Sequence, residues 1–190
     1  DEVIVVADNV EKYHIENVKI IKDIYPKMGP MGGIHAALKV AKNDWIFVIP
    51  CDMPLWEPFL VEEILKHRLD YDIVVPIIKG HMEPLFALYN KTCIPGLEEC
   101  LNNNVIKVIE LYPLVKTNYL DLEKVYHEIE QCDRSFFNIN TPEDLYNMVK
   151  INGLIINVEI EEALNLLLSN TKFSNKTEII HLNNALGRVL

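Results

Sequence analysis

The sequence lacks a long apolar run, lacks paired cysteines and is short of positive charge, and each shortage removes a class of function. Its longest apolar stretches, Trp45–Pro50 and Ile73–Ile78, have strand length. A bilayer-spanning helix needs roughly 20 apolar residues, so no membrane partner is expected. The four cysteines, Cys51, Cys93, Cys100 and Cys132, form no CxxC pair and are too sparse for a disulfide scaffold. Reduced thiols in a cytoplasm fit that usage. Eighteen Lys and Arg against 28 Asp and Glu give a net charge of -10. That charge repels polyphosphate backbones and argues against a nucleic-acid or anionic-membrane binder. There is no Gly-, Ser- or Pro-rich tract, and 49% hydrophobic with 24% charged residues are globular proportions, which excludes disordered and fibrous classes. No basic leader or cleavage-site pattern precedes Asp1-Glu2-Val3, so no targeting signal is read, and the chain is expected to start inside a strand.

What is present alternates between strand and helix signals. Glu2–Ala7 and Val18–Ile21 are short β-branched runs that read as buried strands. The stretch Asp23–Gly33 is broken by Pro26, Gly29, Pro30, Gly32 and Gly33 and reads as a loop feeding a helix at Ile34–Lys42. Trp45–Pro50 is apolar throughout, as expected of a central parallel strand buried on both faces, and it runs into Cys51-Asp52-Met53-Pro54. Pro58–Leu69 follows as an amphipathic helix, with strands at Asp72–Ile78 and Pro84–Tyr89 joined around Lys79-Gly80-His81. Helices are expected at Ile94–Leu101 and Val105–Leu111, and strands at Pro113–Leu120 and Phe136–Ile139. Thr141-Pro142-Glu143-Asp144 is a helix start, with Thr as N-cap and Pro at the first helical position, in a helix reaching about Lys150. A boundary is placed near Gly153, dividing a domain over 1–153 from a segment over 154–190 with a short apolar run at Leu154–Val158 and a helix at Glu159–Ser169. The second piece is too short for a core of its own.

Alternating β and α elements imply a mostly parallel sheet with helices on both faces, an α/β fold of Rossmann-like type. Ligands of such sheets bind at the carboxyl ends of the strands. Two loops occupy that place. Asp23–Gly33 offers backbone N–H groups and a helix N-terminus for an anion or a base edge, and serves equally as an ordinary strand-to-helix turn. Asp52, alone after an apolar strand, is placed either to hold a hard cation such as Mg²⁺ or to cap the turn at Pro54. His81 and Glu83 read as a polar turn rather than an acid/base pair, and no spacing links the six histidines into a metal site. Cys51 is read as packing, since nothing near it in sequence lowers its pKa. Asn138 and Asn140 flank a strand end, where amides bond a ligand or cap the helix that follows.

The order of motifs carries a resemblance. Val-Val-Ala-Asp-Asn (5–9), Lys-Asp (22–23) before Gly-Pro-Met-Gly-Gly-Ile (29–34), Pro-Cys-Asp-Met-Pro (50–54), Glu-Pro-Leu-Phe-Ala-Leu-Tyr (83–89) and Phe-Asn-Ile-Asn-Thr-Pro-Glu-Asp-Leu (137–145) together resemble the molybdenum cofactor guanylyltransferase (MobA) family over about residues 1–150. The resemblance implies a sheet like that of nucleotide-diphospho-sugar transferases and a reaction that joins GMP from GTP to molybdenum-molybdopterin, with pyrophosphate leaving. It implies that Asp23 pairs with the guanine N1–H and exocyclic amine, that Gly29, Gly32 and Gly33 lie beside the nucleotide, and that Asp52 ligates Mg²⁺ at the catalytic centre. Asn138 and Asn140 match an Asn-x-Asn motif on the pterin side. Val158–Leu168 and Ala185–Leu190 are similar to the opening of molybdopterin molybdenumtransferases (MoeA), which suggests contacts with other proteins of the same pathway.

Two departures shape the expectations. The family's first strand, its Gly-rich triphosphate loop of the form Leu-Ala-Gly-Gly, and the following Arg-Met-Gly and Lys have no counterpart here. The chain is therefore expected to be an interior piece of a bifunctional protein, inactive alone, with a missing central strand between Glu2–Ala7 and Trp45–Pro50. The loss should leave two apolar strand edges unpaired or force them together. The family's Asn after that strand is also unmatched, the neighbourhood reading Val6-Ala7-Asp8. A cytidylyltransferase acting on the same pterin, and a non-catalytic scaffold handling molybdopterin, are the competing readings.

Overall fold

The computed structural model describes residues 2–7, 10–12, 18–125, 135–141, 143, 144 and 146. Two compact units divide the chain, one running to Phe136 and one beginning at Phe137. The boundary expected near Gly153, and the strand and helix expected beyond it, lie outside the described residues.

In the first unit, β1 (Val3–Val6) and β2 (Val18–Ile21) pair in parallel, Val3 opposite Val18 through Val6 opposite Ile21. The Ala7 N–H extends the ladder to the Ile21 carbonyl at 2.9 Å. Helix α1 (Gly29–Val40) follows. It begins a full turn before the expected Ile34, so Gly29, Gly32 and Gly33 belong to a helix rather than to a loop. Pro30 in the first turn is compatible with a helix start, where an N–H has no partner in any case. Burial of Met31, Ile34 and Leu38, spaced to fall on one face, outweighs the poor helix propensity of glycine.

A five-stranded sheet contains β3 (Trp45–Val48), β4 (Ile73–Ile78), β5 (His81–Met82), β6 (Ala87–Asn90) and β7 (Thr117–Asp121). Strand β6 lies between β3 and β4 and runs against both, while β7 pairs in parallel with β4. Hence β3, β4 and β7 point the same way and share one carboxyl edge. The expectation that β3 would be central and buried on both faces is corrected. Among the described residues it is an edge strand, paired on one side by β6, and Trp45, Ile46 and Phe47 are half-buried. Between β4 and β5, Lys79 and Gly80 both have positive φ, 49° and 76°. Tight hairpin turns matched to strand twist require this, which supports the polar-turn reading of that segment.

Strand alternation sorts the core onto two faces. Ile73, Val75, Ala87 and Tyr89 pack with α1 and with α3 (Ile94–Asn102). Val74, Phe86 and Leu88 pack on the other face with α2 (Pro58–Lys66), where Leu122 of α4 (Leu122–Val125) joins them. Helices thus cover both faces. The helix expected at Val105–Leu111 is instead a 3₁₀ segment at Val108–Leu114. Pro113 inside it supplies no N–H for α-helical bonding and delays β7 to Thr117.

In the second unit, residues 137–140 join no ladder, so the strand expected at Phe136–Ile139 is absent among the described residues. The helix start is as expected. Thr141 Oγ1 accepts from the Asp144 N–H at 3.1 Å, and Asp144 Oδ2 accepts in return from the Thr141 N–H at 2.8 Å. The Thr141 side chain first, and the backbone N–H of Asn140 at 3.0 Å next, hold the Asp144 carboxyl below its ordinary range. No described helix is long and apolar enough to cross a membrane.

Candidate functional site

Asp23 leaves the end of β2 through Lys22 and turns back onto α1. A Cβ built on Gly32 would stand 3.0 Å from the Tyr25 carbonyl oxygen and 3.7 Å from the Asp23 carboxyl carbon. Gly32 therefore lets the 23–25 segment lie directly on the first turns of the helix. Oδ1 of Asp23 is shielded from solvent there. The amino end of a helix carries partial positive charge, which favours a carboxylate at that place. Gly29 serves differently: its φ is +59° and nothing approaches a Cβ within 4 Å, so it is needed for backbone conformation. Gly33 is buried inside α1.

Tyr25 ties this segment down. Its ring meets His35 edge-on at 5.1 Å, and its hydroxyl donates to Asn102 Oδ1 at 3.3 Å. His35 is buried, with Nε2 3.2 Å from Glu98 Oε1 on α3. Lys39 donates to the same oxygen at 3.3 Å. The His35 bond first, and then Lys39, pull the Glu98 carboxyl below its ordinary range. Nothing in the sequence reading singled out His35 or Tyr25, because their role depends on α1 lying across α3.

Asp52 stands in the turn after β3. The Met53 N–H donates to the Pro50 carbonyl at 3.4 Å, and the Met53 side chain is buried in the core with α2. With Met53 as the anchor, Asp52 is held half-exposed at the carboxyl edge. Cys51, expected to serve packing, is exposed, because the turn sends Met53 inward instead. Burial pushes the Cys93 thiol up to about 12, and its S–H donates to the Asp72 carbonyl at 3.3 Å, so it is inert.

Glu83 reaches the same edge. Its N–H donates to the Pro76 carbonyl at 2.9 Å, and the buried Tyr89 hydroxyl donates to the next carbonyl, Pro84, at 2.7 Å. Burial raises the Glu83 carboxyl above its ordinary range, opposed by the charge of His81. A half-buried carboxyl at a ligand edge marks a candidate site residue, a property the polar-turn reading did not include.

Topology sets Asp23 and Asp52 on one edge. The Glu2 carboxylate, just before β1, accepts from the Lys42 N–H, shortly before β3, at 2.8 Å. The amino ends of β1 and β3 therefore lie together, and Ile4 lines one cavity with Trp45–Val48, so the two strands run side by side from that common start, with Asp23 after β2, the parallel neighbour of β1, and Asp52 after β3. Among the described residues no three His, Cys, Asp or Glu side chains converge as a ready-made metal site. Asp52 fits the alternative, since Mg²⁺ keeps several waters and uses one or two carboxylates plus phosphate oxygens. Asn138 and Asn140 are exposed in the second unit.

The pattern of the MobA-like NTP transferase domain matches residues 1–114. The chain belongs to the MobA-like NTP transferase family. The matched span includes Asp23, all three glycines and Asp52, and stops short of Asn138 and Asn140. Among curated relatives of this MobA-like chain, a protein of Pelotomaculum thermopropionicum named a probable molybdenum cofactor guanylyltransferase is 37% identical over 143 residues, covering 75% of this chain and 69% of its own. A molybdenum cofactor guanylyltransferase of Vibrio parahaemolyticus is 40% identical over 118 residues, covering 62% of this chain and 57% of its own. The MobA-like fold is also that of molybdopterin-guanine dinucleotide biosynthesis protein A from Archaeoglobus fulgidus, with TM-score 0.66, 25% identity, and 80% and 79% of the two chains covered.

Proposed function

We propose that this MobA-like chain acts in molybdenum cofactor biosynthesis, transferring GMP from GTP to molybdenum-molybdopterin. The observation that carries this reading is the Asp23 carboxyl seated on the glycine-opened start of α1, on the strand edge that also carries Asp52. A carboxylate presents two acceptor oxygens, the complement of the guanine N1–H and exocyclic amine, and adenine offers no such pair. The names of the relatives agree with that chemistry.

A terminal phosphate oxygen of molybdopterin attacks the α-phosphorus of GTP. A P–O bond forms as the bond to the β-phosphate bridging oxygen breaks, and that oxygen leaves with pyrophosphate. Asp52 would hold Mg²⁺, which when bound neutralises charge on the phosphates. Asp23 fixes the base, so that the α-phosphorus meets the incoming oxygen in line. Asn138 and Asn140 are assigned to the pterin. The triphosphate grip is assigned to polypeptide outside residues 1–190. Residues 154–190 are assigned to the opening of a molybdenumtransferase-like module, supported by their sequence likeness, and a cytoplasmic location accords with reduced thiols.

Pyrophosphate release by the full gene product, supplied with molybdenum-molybdopterin, tests this. GTP should be used and CTP should not. Asp23→Asn should lower kcat/KM for GTP roughly 10- to 100-fold, the equivalent of one hydrogen bond to a charged group at about 1.5–3 kcal/mol. Asp52→Ala should abolish Mg²⁺-dependent turnover. Preference for CTP would move the chain to the cytidylyltransferases, and indifference to Asp52 would leave a scaffold.

A further inference from the structure

Between β2 and α1, residues 22–27 belong to no strand or helix. Lys22, Ile24, Pro26 and Lys27 are exposed, and only Asp23 and Tyr25 are half-buried. Alternation along the segment thus turns those two side chains toward the protein and the rest toward water. Lys27 and Gly29, with φ of 65° and 59°, then bend the chain into the helix. Tyr25 is the side chain that anchors this stretch without drawing on the carboxylate of Asp23.

Three contacts fix Tyr25. Its carbonyl oxygen lies 3.0 Å from the place a Cβ on Gly32 would take, an approach that only glycine permits. Its ring packs against the core shared by α1 and α3 and meets the buried His35 ring edge-on. Its hydroxyl donates to Oδ1 of Asn102, the last residue of α3, at 3.3 Å. His35 is itself aligned from α3. A carboxylate only accepts, so at 3.2 Å from Glu98 Oε1 the Nε2 of His35 carries the hydrogen. Nδ1 is buried with no hydrogen-bond partner among the described residues, which leaves the Glu98 bond as the polar contact that orients the ring. Glu98 and Asn102 are four residues apart and therefore share one face of α3. From that face one reaches His35, the other reaches Tyr25, and the two rings touch.

We infer that Tyr25 is a positioning residue for guanine discrimination, held by Asn102 directly and by Glu98 through His35, so that one face of α3 sets where the Asp23 carboxylate stands. The inference rests on the reading of Asp23 as the group that contacts the base. A paired contact needs both carboxylate oxygens within the narrow hydrogen-bond range of the ring N–H and the exocyclic amine at once. A shift of the segment by a few tenths of an ångström keeps one of those bonds and stretches the other. Loosening Tyr25 therefore costs discrimination between guanine and a base without the amine, while Asp52 and the phosphate chemistry stay as they were.

Steady-state pyrophosphate release by the full gene product, with GTP and with inosine triphosphate, which keeps the ring N–H and lacks the exocyclic amine, tests this. Tyr25→Phe removes the hydroxyl and keeps the ring. It should raise KM for GTP roughly 2- to 10-fold, the equivalent of one neutral hydrogen bond, with kcat unchanged. KM for inosine triphosphate should rise by a smaller factor, so the preference for GTP narrows. Tyr25→Ala, which also takes the ring from His35, should narrow it further. Asn102→Ala should match Tyr25→Phe, the double variant should lose no more than either alone, and Asn102→Asp, which keeps an acceptor, should retain the preference. A lowered Tm with the preference intact would make Tyr25 a folding residue only and overturn the inference, as would effects of Tyr25→Phe and Asn102→Ala that simply add. Asp23→Asn separates the two claims. A preference narrowed there and untouched in Tyr25→Phe overturns the role of Tyr25 alone; a preference untouched in both overturns base reading by Asp23 and this inference with it.

Discussion

Replacing Gly32 with alanine separates helix propensity from site geometry. Alanine in a helix interior is favoured over glycine by roughly 0.5–1 kcal/mol, so an unconstrained Gly32→Ala would stabilise the protein. Here the new methyl meets the Tyr25 carbonyl oxygen at 3.0 Å, the Met28 Cβ at 3.5 Å and the Asp23 carboxyl carbon at 3.7 Å. The nearest of these is backbone and cannot rotate away, so the 23–25 segment must move outward by a few tenths of an ångström. Inserting a methyl into a packed contact costs about 1–3 kcal/mol, so the net effect should be a loss of roughly 0–2.5 kcal/mol. For a chain of this size each kcal/mol corresponds to about 2–4 °C in Tm. The shift carries Asp23 with it, and weakening one charged hydrogen bond by about 1 kcal/mol should raise the Kd for GTP roughly fivefold. Urea unfolding and calorimetric titration of the full gene product read the two effects. Gly29→Ala is the control: with φ at +59° and open space around it, its cost of about 1–2 kcal/mol is conformational, and Gly29→Asn should recover part of it. If Gly32→Ala gains the whole propensity increment and binds GTP as before, the close approach of the Asp23 segment to α1 is refuted.

Other expectations concern ionisation and access. Burial raises the Glu83 carboxyl, so the folded state holds its proton more tightly than the unfolded chain. Its contribution is complete below the ordinary carboxylate range and is lost as pH rises through the raised value; Glu83→Gln should flatten that part of the stability-against-pH curve. Glu98 behaves oppositely, because His35 and Lys39 depress it. Its contribution is present above the ordinary carboxylate range and disappears as pH falls through the depressed value, so Glu98→Gln should remove that acid dependence in urea unfolding at a series of pH values. Native labelling with a thiol reagent, followed by peptide mapping, should modify exposed Cys51 well before buried Cys93 and Cys100. Faster labelling of Cys93 would contradict its buried, raised thiol.

Local chemistry determined much of this protein before any tertiary contact. The β-branched runs set β1, β2 and β4, and Thr141 with Asp144 set a helix cap, because burial period and side-chain capping are properties of neighbouring residues. Asp52 was legible as a strand-end carboxylate from its place after an apolar run, whereas Asp23 was singled out only by the family resemblance. Only the tertiary structure decided that β6 lies between β3 and β4, since a strand's own pattern shows which faces are buried and says nothing of which strand comes beside it. It also decided that Gly32 belongs to a helix, that His35 reaches Glu98, that burial raises Glu83, and that among the described residues β3 pairs on one side only. Those outcomes depend on groups far apart in sequence meeting in space, and no window along the chain contains both partners.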